Sequence, residues 1–190
     1  MPENRVRIVG GRWRSRWIQF PDADDLRPTP DRVRETLFNW LGQDLTGCTC
    51  LDLFAGSGAL GLEAASRGAR EVIMVERDRR VAESLEASAA SLQKDAAPGT
   101  IEVIRSDALE FLSRDRRVYD VLFLDPPFGQ WHAADSTIAN VLARLTTHLA
   151  TGARVYVESP AAVVLPQQWQ VLKQSRAGAV HFQLLEVNAT

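Results

Sequence analysis

The run Leu51-Asp52-Leu53-Phe54-Ala55-Gly56-Ser57-Gly58-Ala59-Leu60-Gly61 constrains this chain more than any other segment. Its first four residues have the composition of a buried strand, and three glycines in the spacing G-x-G-x-x-G then open a helix. Glycine permits the tight turn and lets a ligand approach the backbone. The rest of the chain keeps the same rhythm. Apolar strands are predicted over residues 49–54, 71–76, 100–105, 119–124 and 154–158. Helices are predicted over 58–67, 78–94 and 133–149, with a short turn at 108–112. Apolar strands spaced by helices imply a mostly parallel sheet covered on both faces. Residues 169–176 and 179–187, joined near Gly178, break the rhythm as a closing antiparallel hairpin.

Upstream of this α/β core, residues 5–20 are predicted to form a hairpin. Arg5 to Val9 alternates, Gly10-Gly11 turns, and Arg14 to Phe20 returns. Pro28-Thr29-Pro30 introduces a helix, with Thr29 as N-cap and Pro30 in the first helical position. On that helix Val33, Leu37, Trp40 and Leu41 share one face, whereas Arg32 and Arg34 lie elsewhere. At 190 residues the expectation is one domain, burying roughly 70% of its unfolded surface. Residues 1–28 form its N-terminal hairpin and loop, and 29–190 its Rossmann-like core.

The glycine loop suits a nucleotide-like ligand. Glu76 closes the second strand, 20 residues after Gly56, where an acid would bind ribose hydroxyls. That placement serves a nicotinamide dinucleotide and S-adenosylmethionine equally. Asp52, before the loop, and Asp107, after the third strand, favour the methyl donor: the first suits its amino group and the second its adenine amine. Phe54, Ala55, Gly56, Ser57, Gly58, Gly61, Arg77 and Ala108 complete the predicted donor site. Glu76 and Asp107 could equally cap the helices that follow them. Asp52, in an apolar strand, requires a partner, either ligand or backbone.

After the apolar run Val121-Leu122-Phe123-Leu124 comes Asp125-Pro126-Pro127-Phe128. The prolines stiffen a turn that holds a carboxylate and a carbonyl oxygen side by side with an aromatic ring nearby. A planar base carrying an amino group would fit those contacts. A strand-ending turn has the same composition, but hydride transfer has no use for this tetrapeptide, and methyl transfer to an amino nitrogen does.

Between Arg5 and Trp17 lie Arg5, Arg7, Arg12, Arg14 and Arg16, with Trp13 and Trp17 and no acid. Clustered positive charge among aromatics suits phosphate contact and base stacking. A solvated arginine-rich hairpin is the structural alternative. Arg32 and Arg34 could meet either the donor's carboxylate or RNA phosphate. Cys48 and Cys50 are expected to be small buried strand residues, and His132, His148 and His181 are too scattered for a metal, so none is expected. No apolar run approaches the ~20 residues of a membrane helix, and the N-terminus lacks a signal-peptide pattern. A cytoplasmic monomer is the expectation.

With these residues assembled, the chain resembles the RsmD family of bacterial small-subunit rRNA methyltransferases over nearly its whole length. Residues 7–13 look like the family's opening hairpin, 26–38 its second signature, 51–68 its donor loop, 75–78 its ribose-binding strand end, and 125–128 its catalytic motif. Ser15 stands where the family usually has glycine, and Gly129-Gln130-Trp131-His132 departs from its pattern. The resemblance implies a class I methyltransferase fold. It further implies S-adenosylmethionine as donor, and guanine 966 of 16S rRNA, methylated on N2, as target in the small ribosomal subunit. A DNA adenine or cytosine amino-methyltransferase, a protein glutamine methyltransferase and a non-catalytic RNA-binding assembly factor are the rival functions. Carbon methylation would want a cysteine near the base, and both cysteines precede the donor loop.

Overall fold

The computed structural model describes residues 4–22, 26, 28–94, 99–127, 137–160 and 165–188. The chain runs β1 (Arg5–Arg7), β2 (Trp17–Gln19), α1 (Asp31–Leu41), β3 (Thr49–Asp52), α2 (Ala59–Ser66), β4 (Glu71–Glu76), α3 (Arg79–Gln93), β5 (Thr100–Arg105), α4 (Ala108–Arg114), β6 (Tyr119–Leu124), α5 (Thr137–Leu145), β7 (Leu149–Ser159), β8 (Trp169–Ala177) and β9 (Val180–Val187). A seven-stranded sheet has the order β5-β4-β3-β6-β7-β9-β8. β3 to β7 are mutually parallel, and β9 pairs antiparallel with both β7 and β8. This is the α/β architecture expected from the strand–helix rhythm. α4 runs longer than the predicted turn, and β7 begins at Leu149 rather than 154. The predicted helix start at 133–136 lies outside the described residues.

Side chains alternate across the sheet as the two-residue period of a strand requires. In β3 and β4, Cys50, Val72 and Met74 pack toward α1, α2 and α3. Leu51, Ile73 and Val75 pack toward α4 and α5 on the other face. Cys50 is thus a core residue, and Cys48 is half-buried.

β1 and β2 form a separate antiparallel pair, with Val6 opposite Ile18 and Arg7 opposite Trp17. Val6 and Ile18 face the core, while Arg5, Arg7, Trp17 and Gln19 face outward. Gly10-Gly11 does more than turn the chain. A Cβ on Gly10 would lie 2.0 Å from the Arg67 guanidinium, and one on Gly11 2.1 Å from the Ser66 carbonyl oxygen. The glycines therefore let the loop press against the end of α2. There Arg12 N–H donates to the Ser66 carbonyl at 2.7 Å, and Trp13 N–H to the Ser66 hydroxyl at 2.9 Å. Ser15 takes φ 69°, a left-handed conformation that glycine adopts freely.

The helix start also differs from expectation. Pro30 occupies the N-cap position without a side-chain cap, and its carbonyl accepts from Val33 and Arg34 N–H. The Thr29 hydroxyl is directed elsewhere.

A buried ion cluster ties these parts together. Glu63, on the otherwise apolar α2, accepts from Val9 N–H at 2.8 Å, from Arg34 Nη1 at 3.1 Å, and from Arg67 Nε and Nη2 at 3.0 and 2.9 Å. Arg34 also donates to the Thr29 carbonyl at 3.0 Å and to Asp31 at 2.5 Å. One carboxylate thus joins the hairpin, α1 and α2. Removing one partner from such a cluster leaves buried charge uncompensated. Glu63→Ala is expected to cost about 3–5 kcal/mol, measured as a lowered urea midpoint, with Glu63→Gln losing less because it keeps an acceptor for Val9.

Candidate active site

A cleft of about 1350 Å³ opens at the C-terminal ends of β3, β4, β5 and β6. It straddles the point where the strand order reverses between β3 and β6, the usual ligand position in an open parallel sheet. Of the residues predicted to hold a donor, Asp52, Phe54, Ala55, Gly56, Ser57, Glu76, Arg77, Asp107 and Ala108 line this cleft. Gly58 and Gly61 act from behind it. Gly58 (φ 78°) is the N-cap of α2, and a side chain there would meet Leu85. Gly61 lets α2 press on Met74 of β4.

Each acid is held by backbone. Asp52 is 1% exposed, and its Oδ2 accepts from Gly61 N–H at 2.9 Å. Its Oδ1 is buried with no partner in the protein. Burial pushes this carboxyl up to about 7, opposed by the Gly61 and Phe54 N–H groups and reinforced by the charges of Glu76 and Glu158. Glu76 receives Gly56 N–H at 2.9 Å and Asp78 N–H at 2.7 Å, which shapes the glycine loop. The cap of α3 is Asp78, not Glu76, whereas Asp107 does cap α4, through Oδ1 alone.

Asp125 follows β6 directly, and Asp125, Pro126 and Pro127 line the same cleft. Phe128 lies outside the described residues, as does the segment 129–132. The Thr29 hydroxyl, read from sequence as a helix cap, instead donates to Asp125 Oδ2 at 3.3 Å. Pro30 biases Thr29 toward extended backbone, which turns its side chain away from the helix.

Sequence reasoning missed Glu158. It sits at the end of β7, and because Leu124 pairs with Val157, the residues that follow, Asp125 and Glu158, end adjacent strands side by side. Glu158 is 4% exposed and accepts from the Tyr156 hydroxyl at 2.8 Å. The enclosing strand ends remove water from Glu158 and from much of Asp125, which stays half-buried. Their carboxyls are raised, Asp125 well above the usual range, first by desolvation and then by the charges of Glu158 and Asp52. Glu158 is raised by burial and restrained by the Tyr156 and Thr29 hydroxyls. An acid within an apolar strand was the available signal.

The predicted RNA contacts divide. Arg5, Arg7, Arg12, Arg14, Arg16 and Arg32 are exposed. Arg5 stacks over the Trp17 ring at 4.5 Å, and Arg7 pairs with Asp31 at 3.1 Å. Two expectations are corrected. Arg34 is wholly buried, its guanidinium consumed by Glu63, Asp31 and the Thr29 carbonyl, so it reaches neither donor nor RNA. Trp13, 2% exposed, packs in the core with Ile8 and Ile18, and the exposed aromatic is Trp17, at 54%.

Known proteins with this arrangement are informative. The family described as "Conserved hypothetical protein 95" matches residues 6–186. Ribosomal RNA small subunit methyltransferase D of Escherichia coli K12 is 41% identical over 97% of this chain and 91% of its own length. The protein of the same name from Haemophilus influenzae is 38% identical over 97% of this chain and 95% of its own. A solved putative methyltransferase from Escherichia coli superposes with a TM-score of 0.83 at 39% identity, over 98% of this chain and 99% of its own.

The raised Asp52 carboxyl has a consequence for stability. The folded protein binds this proton more tightly than the unfolded chain, so Asp52 destabilises the fold progressively as pH rises from about 4, with the slope flattening above about 7. Asp52→Asn removes that penalty and keeps an acceptor for Gly61. It is expected to raise ligand-free stability at pH 8 by a few kcal/mol and to change it little at pH 4, read by thermal unfolding at both pH values.

Proposed function

Since the chain belongs to the RsmD family of ribosomal RNA small subunit methyltransferases, we propose that it methylates the exocyclic N2 amine of guanine 966 in 16S rRNA, with S-adenosylmethionine as donor. The observation that carries this is the meeting, in one cleft, of Asp125 at the end of β6 with a buried Asp52 oxygen that lacks a partner.

The residues present fit the donor. Asp52 Oδ1 would accept from its amino group and so gain the hydrogen bond that a buried oxygen otherwise lacks. Glu76, already fixed by two backbone N–H groups, would take the ribose hydroxyls. Asp107 Oδ1 is occupied by the helix cap, so Oδ2 would accept from the adenine amine. The donor supplies an electrophilic methyl group on a positively charged sulfur.

Guanine N2 is a poor nucleophile because its lone pair is delocalised into the ring. The Asp125 carboxylate and Pro126 carbonyl would each accept one N–H and return electron density to nitrogen, charge-assisted bonds being the stronger kind. Holding nitrogen, methyl carbon and sulfur in line is the larger effect, up to ~7–11 kcal/mol in well-oriented systems. Phe128 is proposed to stack on the base, and Asp125 to receive the released proton. A paired or stacked base could not enter the cleft, so the guanine must be unpaired or flipped out.

Arg5, Arg7, Arg12, Arg14, Arg16 and Arg32, with Trp17, are proposed to hold the surrounding rRNA as a monomer in the cytoplasm. Among the described residues no helix is long and apolar enough to cross a membrane.

Asp125→Ala is expected to abolish methyl transfer in a single-turnover assay while donor affinity stays within a few-fold. Retained turnover would remove Asp125 from the chemistry. Mapping methylated nucleosides by mass in rRNA from cells with and without the gene tests the target nucleotide. Arg12→Ala combined with Arg14→Ala is expected to weaken RNA binding and flatten its salt dependence by about two log units per log unit of salt, leaving donor binding unchanged. Equal RNA affinity would assign the hairpin to structure.

A further inference from the structure

The proposed mechanism uses Asp125 and leaves its neighbour Glu158 unexplained. A buried carboxylate beside a second, half-buried one is costly. Their register and their separate hydroxyl donors indicate how the two can coexist. The Thr29 hydroxyl donates to Asp125 at 3.3 Å and lines the same cleft as Glu158. A hydroxyl has one proton to donate and lone pairs to accept. The proton of Thr29 is committed to Asp125 and that of Tyr156 to Glu158, so neither is shared across the pair. The repulsion between two like charges on adjacent strand ends is relieved when one carboxyl keeps a proton.

Other groups around the pair do not neutralise it. Tyr156, on β7, donates its own proton to Glu158, and β9 offers Phe182 opposite Glu158. β3 brings a further acid, Asp52, with Glu76 of β4 behind it. The arginines lining the cleft, Arg77, Arg79, Arg80 and Arg105, belong to the opposite end, beyond β4 and β5.

We propose that Asp125 and Glu158 form a carboxyl pair that carries one proton in the ligand-free protein and releases it when a cationic methyl donor enters the cleft. This rests on the donor assigned above. A positive sulfur beside the pair offsets the second negative charge, so the proton leaves to solvent and Asp125 becomes the carboxylate that guanine N2 requires. The demethylated product, S-adenosylhomocysteine, carries a neutral sulfur and the same amino-acid end. It lets the pair take a proton back, and the cleft loses its preference for the spent ligand. Asp52 contributes equally with both ligands, because it meets the end they share. Glu158 is thereby a positioning residue that sets the charge state of Asp125.

Calorimetric titration of the whole protein at pH 7, in two buffers of different ionisation enthalpy, counts protons released per ligand bound. The wild type is expected to release about 0.3–1 proton more with S-adenosylmethionine than with S-adenosylhomocysteine. That excess disappears in Glu158→Gln, and also in Asp125→Asn, which provides the same readout should the first variant fold poorly. Affinity for S-adenosylmethionine, relative to S-adenosylhomocysteine, should rise with pH by up to tenfold per unit in the wild type, and not in the variants. Equal proton counts for the two ligands in the wild type, or an excess that survives both substitutions, would overturn the carboxyl pair while leaving the donor assignment intact. Absence of binding by either ligand would overturn the donor assignment itself.

Discussion

The carboxylate of Glu63 is the interaction on which the geometry of this protein depends. It is a single charge on a helix buried all round, and it is acceptable there only because two guanidiniums and a backbone N–H converge on it. Those partners come from different parts of the chain: Val9 after β1, Arg34 in α1, and Arg67 at the end of α2. Satisfying one carboxylate therefore requires the N-terminal extension and the core to assemble in one relative position. The consequence extends to the chemistry. Arg34, held by Glu63, grips the Thr29 carbonyl, and the Thr29 hydroxyl bonds Asp125. Asp125, the proposed reacting carboxylate, is thus connected to the hairpin through Thr29, Arg34 and Glu63.

Charge is partitioned between two surfaces of the molecule. The inner end of the cleft, where β3, β6 and β7 finish, holds Asp52, Asp125 and Glu158 and suits a cation. The outer surface of the hairpin holds arginines and Trp17, and suits a polyanion. These surfaces would be incompatible if mixed, since arginines beside Asp125 would neutralise it and acids on the hairpin would repel phosphate. Separation is achieved by strand alternation. In β1 and β2 Val6 and Ile18 face the core, which leaves Arg5 and Arg7 on the outer side with Trp17.

How much of this was legible in the sequence follows from the range of the forces involved. Strand–helix rhythm is a local, periodic signal, so the parallel sheet, the glycine loop and the strand-end acids Asp52, Glu76, Asp107 and Asp125 are readable, whereas Glu158 is not. The closing hairpin was readable because β8 and β9 flank a turn at Gly178. What was not readable depends on partners distant in the chain. Arg34 looked like a surface residue because charge usually is, and nothing near it announces Glu63, 29 residues away. Trp13 looked like a stacking platform because its neighbours are arginines, yet Ser66 and the end of α2 draw it inward. Thr29 fits a cap by local pattern, and Asp125, 96 residues on, supplies a competing acceptor.

Glu158 shows why one strand end cannot be interpreted alone. In a parallel sheet, residues that leave neighbouring strands at the same level meet over the cleft whatever their separation in sequence. Pairing of Leu124 with Val157 makes Asp125 and Glu158 neighbours as a matter of register. A slip of one residue in β7 would turn Glu158 to the opposite face of the sheet and move Tyr156 with it. That register is held by β9 on the other side of β7, where Val157 pairs with Gln183 and Glu158 with Phe182. The C-terminal hairpin, which carries no proposed site residue of its own, therefore determines which groups surround Asp125.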